Sequence, residues 1–176
     1  MAKQRQRLDS NTIISITATI VSVCALFLSV YQTMLSRQQQ STSVWPKLVI
    51  SNAYFNDGDF YWLDIRNVGI GPAIIKDVTI EQAGKPYQSM NEYVTYALTT
   101  NAVKDSTFSL DYSELDVEDV IPQGEKKRLI DVKGKEATRL FLEKRKQFRL
   151  TVTYASIYGE EWTVQYGPFG KAASKK

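Results

Sequence analysis

Six carboxylates crowd one stretch of the chain: Asp105, Asp111, Glu114, Asp116, Glu118 and Asp119. At this density carboxylates can share protons for acid–base work or hold calcium through oxygen ligands. Neither chemistry has a second component in the sequence. There is no histidine, and the one cysteine, Cys24, lies inside an apolar run. No Ser-His-Asp or Cys-His relay can be assembled, and no histidine- or cysteine-based zinc site. Asp57-x-Asp59 opens like a calcium loop, but Gly58 is misplaced for one and no glutamate closes it. The residues fit a solvated loop and edge strand better than a reaction centre. The expectation is a non-catalytic protein with no cofactor and no metal.

Two further groups could recognise a ligand. Lys144, Arg145, Lys146 and Arg149, with Lys126, Lys127 and Arg128, form a local basic group that could meet anionic lipid. Glu125, Glu136 and Glu143 lie among them, which favours an ordinary solvated face. Asn67-Val68-Gly69-Ile70-Gly71-Pro72 has the glycines of a phosphate loop, but no helix follows to receive a phosphate. It reads as a turn in which Asn67, Gly69 and Gly71 take positive φ and Pro72 sets up the next strand. Net charge is +3, and most of that precedes the apolar run, so the remainder carries no footprint for nucleic acid.

These groups must be positioned by two kinds of element. Between Asp9 and Arg37 there is no charge, and Ile13 to Leu35 is apolar at 16 of its 23 positions. As a helix that span is roughly 34 Å long, enough to cross a hydrocarbon core. It is longer than the apolar core of a cleaved signal, and Ser-Arg-Gln-Gln-Gln after Leu35 offers no small-residue cleavage site. Lys3, Arg5 and Arg7 outweigh Arg37 and Lys47 on the other flank. That bias places the N-terminus in the cytoplasm and the remainder outside. Ser15, Ala18, Ser22, Ala25 and Ser29 recur at steps of three and four, a seam along which two helices could pack closely. Cys24 reads as a small apolar filler.

Residues 36–43 are polar and aperiodic and read as a linker. From 44 to 169 the pattern is that of strands. Lys47 to Phe55 and Phe60 to Arg66 flank Asn56-Asp57-Gly58-Asp59 as a hairpin. In the next strand Ile74, Lys76, Val78 and Ile80 alternate onto one side. Ser89 to Ala97 and Glu136 to Lys144 are candidate short helices. Gln147 to Tyr154 and Trp162 to Tyr166 form a second hairpin about Tyr158-Gly159, and 170–176 is left as a disordered tail. Six or seven short strands with turns between them argue for an antiparallel sandwich. Tyr54, Phe60, Tyr61 and Trp62 are rich in contact area, and Tyr61 and Trp62 are the candidate surface contacts.

Leu63-Asp64-Ile65-Arg66-Asn67-Val68-Gly69-Ile70-Gly71-Pro72-Ala73 resembles the strand end of bacterial immunoglobulin-like sandwiches of the cell-adhesion-related type. The layout of short N-terminal anchor and β domain resembles uncharacterised bacterial single-pass membrane proteins. The resemblance implies a sandwich with a binding or assembly role and brings no catalytic residue. The reading is therefore a membrane-anchored interaction module in a bacterial inner membrane. Its partners would be the lipid bilayer, another membrane or envelope protein, and a second copy through the helix seam. The alternative is a regulatory or membrane-perturbing subunit that assembles through its helix.

Overall fold

In the computed structural model residues 9–54, 60–98, 108–168 and 170–175 are described. The chain divides into two compact units, Met1–Thr42 and Ser43–Lys176. The first is helix α1, Ser10–Ser43. Its stretch Ser10–Gln39, in which an 18-residue window reaches a mean hydropathy of 2.4, is long and apolar enough to cross a membrane. The polar residues do not interrupt it, because their hydroxyls bond back to the preceding turn. Ser15, Thr17, Thr19, Ser22 and Thr33 each donate to the carbonyl four residues earlier at 2.8–2.9 Å. Residues 36–43, expected as a linker, continue the helix. Arginine and glutamine favour helix, and no glycine or proline intervenes before Pro46.

The second unit is mainly β. In chain order it holds β1 (Leu48–Tyr54), β2 (Phe60–Asn67), β3 (Ala73–Gln82), β4 (Lys85–Tyr87) and α2 (Met90–Leu98). Next come β5 (Ser109–Tyr112), β6 (Val120–Ile121), β7 (Lys126–Lys133), α3 (Lys135–Lys144), β8 (Phe148–Ala155), β9 (Glu161–Gly167) and β10 (Gly170–Lys175). One sheet runs β1-β2-β7-β5 and the other β10-β9-β8-β3-β4, with β6 paired to the start of β3. All the pairings are antiparallel. Both expected hairpins are present as β1–β2 and β8–β9, and both expected short helices as α2 and α3. The turn at 56–59 and Asp105 lie outside the described residues. The tail expected to be disordered instead pairs with β9 as β10, so the edge of that sheet is one strand further out.

Alternation builds the core from both sheets. Leu48, Ile50, Tyr61, Leu63, Ile65, Ile130 and Val132 come from the first. Ile75, Ile80, Phe148, Leu150, Val152, Tyr154 and Val164 come from the second. A hydrogen bond joins the sheets, the Leu48 N–H donating to the Tyr154 hydroxyl at 3.2 Å. Met90, Tyr93 and Val94 of α2 and Phe141 of α3 complete the interior.

One correction comes from a bulge. Ile74, Lys76, Val78 and Ile80 do not share a side, because the β3–β8 register shifts between Ile75 and Asp77. The extra residue, Lys76, turns the strand over. Ala73 and Ile75 point inward before it, and Val78, Ile80 and Gln82 after it.

The segment from Val44 to Lys47 enters the β domain along the Asn67–Gly71 motif. The Val68 N–H donates to the Lys47 carbonyl at 2.8 Å, and the Ile70 and Gly71 N–H groups to the Trp45 carbonyl at 3.0 and 3.3 Å. Asn67 is buried, and its amide uses every donor and acceptor site. Nδ2 donates to the Gly71 and Ile121 carbonyls at 2.8 and 2.9 Å. Oδ1 accepts from the Lys47 and Gly69 N–H groups at 3.3 and 3.0 Å. Contrary to expectation, none of Asn67, Gly69 and Gly71 is among the positive-φ residues, and Asn67 closes β2 as strand. The two glycines have another reason. They are glycine because the incoming backbone passes directly against them. A Cβ on Gly69 would overlap the Lys47 amide nitrogen, and one on Gly71 the Val44 carbonyl oxygen.

Substitution here should separate backbone clash from side-chain loss. Gly71→Ala is expected to destabilise the domain by about 3 kcal/mol through overpacking. Asn67→Ala should cost a similar amount, about 3 kcal/mol, by leaving buried backbone groups unpaired. The exposed Val68→Ala should change stability by less than about 0.5 kcal/mol. Urea unfolding of the full chain in detergent, followed by tryptophan fluorescence, measures all three. Trp45, Trp62 and Trp162 all lie in the β domain and report on it alone.

Candidate functional site: a cationic, aromatic cleft

Strand direction gives the β domain two ends. Leu48, Asn67, Ala73, Ala155 and Glu161 mark the end where the chain enters. The end of β1, the start of β8 and the end of β9 lie at the other, roughly 20 Å away over a seven-residue strand.

At the far end a cleft of about 620 Å³ is lined by Asn52, Tyr54, Arg145, Lys146, Phe148 and Tyr166 among others. Helix α3 positions its cations. The helix ends at Lys144, Arg145 caps it, and a short 3-10 turn, Arg145–Gln147, leads into β8. Positive side chains at a helix C-terminus are favoured by the helix dipole. The Arg145 guanidinium lies 4.8 Å from the centre of the Tyr54 ring and 5.4 Å from that of Tyr61. Its Nη1 donates to the Tyr166 hydroxyl at 3.0 Å. Among the described residues no carboxylate pairs with Arg145 or Lys146.

The floor of the cleft is an aromatic stack. Tyr93 stacks on Phe148 at 4.3 Å, Tyr61 packs on Phe141 at 4.9 Å, and Phe148 on Tyr166 at 6.2 Å. Tyr61 and Tyr93 are fully buried, and neither hydroxyl has a hydrogen-bond partner of good geometry. Burial pushes both phenols well above the ordinary tyrosine range, with nearby Tyr166 adding to the effect. Tyr61 was expected as a surface contact; β2 alternation instead turns it inward. Trp62 faces outward, and Lys126 and Arg128 lie over its ring at 5.7 and 5.0 Å.

The basic residues of the sequence do not gather into one patch. Arg128 and Lys126 close over Asp64, a fully buried carboxylate, and Arg128 also bonds Asp131 at 2.7 Å. Lys127 pairs with Asp119 at 2.9 Å, and Arg149 with Glu81 at 3.5 Å. Lys144 lies over Tyr96. Only Arg145 and Lys146 of the group line the cleft.

The acidic segment does structural work. Glu114 accepts the Met90 and Asn91 N–H groups, both at 2.9 Å, and so caps the start of α2 from a distant loop. At the same helix end the Glu92 N–H donates to the Ser89 hydroxyl at 3.1 Å, and the Glu92 carboxylate accepts the Gln88 N–H at 2.8 Å. Glu118 pairs with Lys76 at 2.8 Å. Hydrogen bonds from Lys127 and the Asp116 backbone hold the Asp119 carboxyl below its ordinary range. Asp111 sits exposed on β5, opposite Asp131. No group of three or more possible metal ligands forms among the described residues.

The entry end has a different character. Trp45, Val68, Ile70, Val120, Ile157 and Tyr158 are all exposed there. They come from the entering segment, the β2–β3 loop, β6 and the β8–β9 turn, which the strand pairings bring together. Ser15, Ala18, Ser22, Ala25 and Ser29 are likewise exposed along α1, and the Ser15 and Ser22 hydroxyls are spent within the helix.

A family described as a domain of unknown function, DUF8453, matches residues 12–167. The chain belongs to this family. The DUF8453 match takes in the apolar helix, the Asn67–Gly71 motif, the acidic segment and the cleft together. No curated protein matches the chain.

Sequence reasoning had Arg145 and Lys146 only as members of a charge group. The run Leu-Glu-Lys-Arg-Lys-Gln-Phe at a helix end carries the useful signal, because it puts cations beside the first core aromatic of β8. Tyr166 had no signal beyond strand alternation.

The buried phenols make a pH prediction. Their folded pKa values are raised, so their contribution to stability is complete below about pH 10, the unfolded value. It is lost as pH rises further. The test is an alkaline titration followed by tyrosinate absorbance. Tyr61 and Tyr93 should ionise only together with loss of the folded fluorescence signal. Smooth titration of all tyrosines while the fold persists would contradict this burial.

Proposed function

We propose that the chain is a non-catalytic, membrane-anchored interaction module. In this reading α1 crosses a bacterial inner membrane with the N-terminus in the cytoplasm. The β domain stands outside, with its entry end against the bilayer and its cleft turned away. The observation that carries the reading is the exposed apolar entry end, whose first residue, Trp45, follows the end of α1 by two positions. Tryptophan, tyrosine and branched apolar side chains suit the interfacial zone of a membrane, and Trp45 and Tyr158 are both of that kind. The uncharged helix and the basic residues before it support the anchor and its orientation. The family match, which begins inside the helix, supports a helix retained with the domain.

The strand order supports an immunoglobulin-like arrangement. β1-β2-β7-β5 and β9-β8-β3 follow the order A-B-E-D and G-F-C of constant-type domains, with β4 and β10 added at the edges. Such domains bind through loops and sheet edges, and Glu114, Glu118 and Asp119 of the acidic segment are engaged in capping and ion pairs.

Two measurements test the anchoring. After alkaline carbonate extraction the full chain should stay in the membrane fraction; release into the supernatant would overturn the anchor. In bilayer nanodiscs, a spin label at Ile157→Cys in a Cys24→Ser background should be shielded from an aqueous relaxation agent. A label at Lys85→Cys, at the far end, should be accessible. Equal accessibility would remove the entry end from the bilayer. A reporter active only outside the cytoplasm, fused after Lys176, should be active.

Assembly through α1 is the second reading, favoured by the exposed small-residue seam. With the seam hydroxyls of Ser15 and Ser22 spent inside the helix, association would rest on close packing alone. Ser22→Leu with Ala25→Leu should abolish crosslinked dimers while leaving carbonate resistance intact. Dimers that survive the double substitution would place the contact elsewhere.

A further inference from the structure

We propose that the cleft at the far end of the β domain binds a small organic anion, a carboxylate or phosphate monoester carried on an apolar or aromatic body. The proposal deepens the interaction-module reading by naming what the module would hold.

The charge balance points to an anion. Arg128, Arg139 and Arg149 are each neutralised by a carboxylate, those of Asp64, Glu136 and Glu81. Arg145 is held instead by two ring faces and one hydroxyl. Among the described residues one of the five N–H donors in its guanidinium is engaged, which leaves a fork that matches a carboxylate or phosphate. Lys146 adds a second positive charge to the same wall, and Asn52 an amide. Among the described residues no acidic side chain lines the cleft.

The fixing of Arg145 is the second observation. Long cationic side chains usually sample many rotamers and lose that freedom on binding. Here the Tyr54 and Tyr61 rings and the Tyr166 hydroxyl hold the guanidinium in place before any ligand arrives, which lowers the entropic cost of recognition. The rings also reduce its hydration, and a charge-assisted hydrogen bond is stronger where water is partly excluded.

The remaining wall selects the body of the ligand. Tyr54, Phe148 and Leu142 present apolar surface beside the cations. A volume of about 620 Å³ lies within the range of small-molecule sites. A bare inorganic ion would leave that surface wet, whereas an aryl or alkyl group attached to the anion would cover it.

The test uses the full chain in detergent and four probes: phenyl phosphate, benzoate, neutral benzamide and inorganic phosphate. Calorimetric titration gives affinity, and NMR amide shifts give location. Phenyl phosphate and benzoate should bind and shift the amides of Arg145–Phe148 and Tyr166–Gly167. Inorganic phosphate should bind more weakly at the same amides, and benzamide should not bind. Arg145→Gln should weaken phenyl phosphate at least about tenfold, the scale of one lost charge-assisted pair. Arg145→Lys should fall between, because it keeps the charge and loses the fork.

Lys146→Gln, at an exposed position, keeps the test meaningful if Arg145→Gln fails to fold; it should weaken binding several-fold with an unchanged spectrum elsewhere. Benzamide binding as well as benzoate, shifts confined to other parts of the domain, or no binding by any probe would each overturn the proposal. None of these outcomes bears on carbonate resistance, so failure here is distinct from failure of the anchor.

Discussion

The Asn67 carboxamide is the hub from which the entry end of the β domain is organised. Four hydrogen bonds from one buried side chain tie together the entering segment, the β2–β3 loop and β6. The Asn67 backbone bonds Glu125 and Gly124, both at 3.0 Å, and so adds the turn before β7. Each of those backbone groups would otherwise be buried without a partner or exposed to water at a sheet end. A typical intramolecular hydrogen bond contributes about 1 kcal/mol net, but an orphaned buried group costs more. Gly69 and Gly71 serve the same junction by vacancy, since only a residue without Cβ lets the entering backbone lie so close. Side-chain saturation and steric absence thus cooperate at one motif.

That junction decides what the two ends of the domain can be. With Val44–Lys47 paired along the β2–β3 loop, β1 must start at the entry end and finish at the cleft. The antiparallel pairings then place every other strand terminus at one end or the other. The β8–β9 turn joins the apolar entry end, while the α3–β8 connection delivers Arg145 and Lys146 to the cleft. A chain entering elsewhere would not separate an apolar end from a cationic one.

The parts legible in the sequence are those set by local pattern. The two hairpins, the two short helices and the apolar helix follow from period and turn chemistry. The strand order does not, because it depends on which hairpins pack against which, and nothing local encodes that. The bulge at Lys76 was hidden because the run Ile74–Ile80 alternates perfectly well on paper. Only pairing with β8 shows that the face changes. The helix through 36–43 is masked in the sequence by its polar composition, which a loop shares, although none of its residues breaks a helix. In the tail, Lys171 to Ser174 looked too small and polar for a strand; backbone pairing with β9 requires little of the side chains.

The candidate site was partly legible and for a simple reason partly not. A sequence displays charges but not their partners. Seven cations looked like one patch, and the fold sorts them by the carboxylates it brings near. Asp64 takes two of them from the opposite strand, Asp119 one, and Glu81 one. Those pairs offset the cost of burying charge, above all at Asp64. Arg145 is treated differently: aromatic faces and a hydroxyl hold it, and among the described residues no carboxylate pairs with it. Tyr61 below it cannot take that charge, because burial keeps its phenol neutral. Holding the cation by ring faces at a helix end stabilises it modestly without consuming its remaining N–H donors. What it provides is a donor fork already oriented, in a cleft with apolar walls, at the end of the domain farthest from the chain's entry.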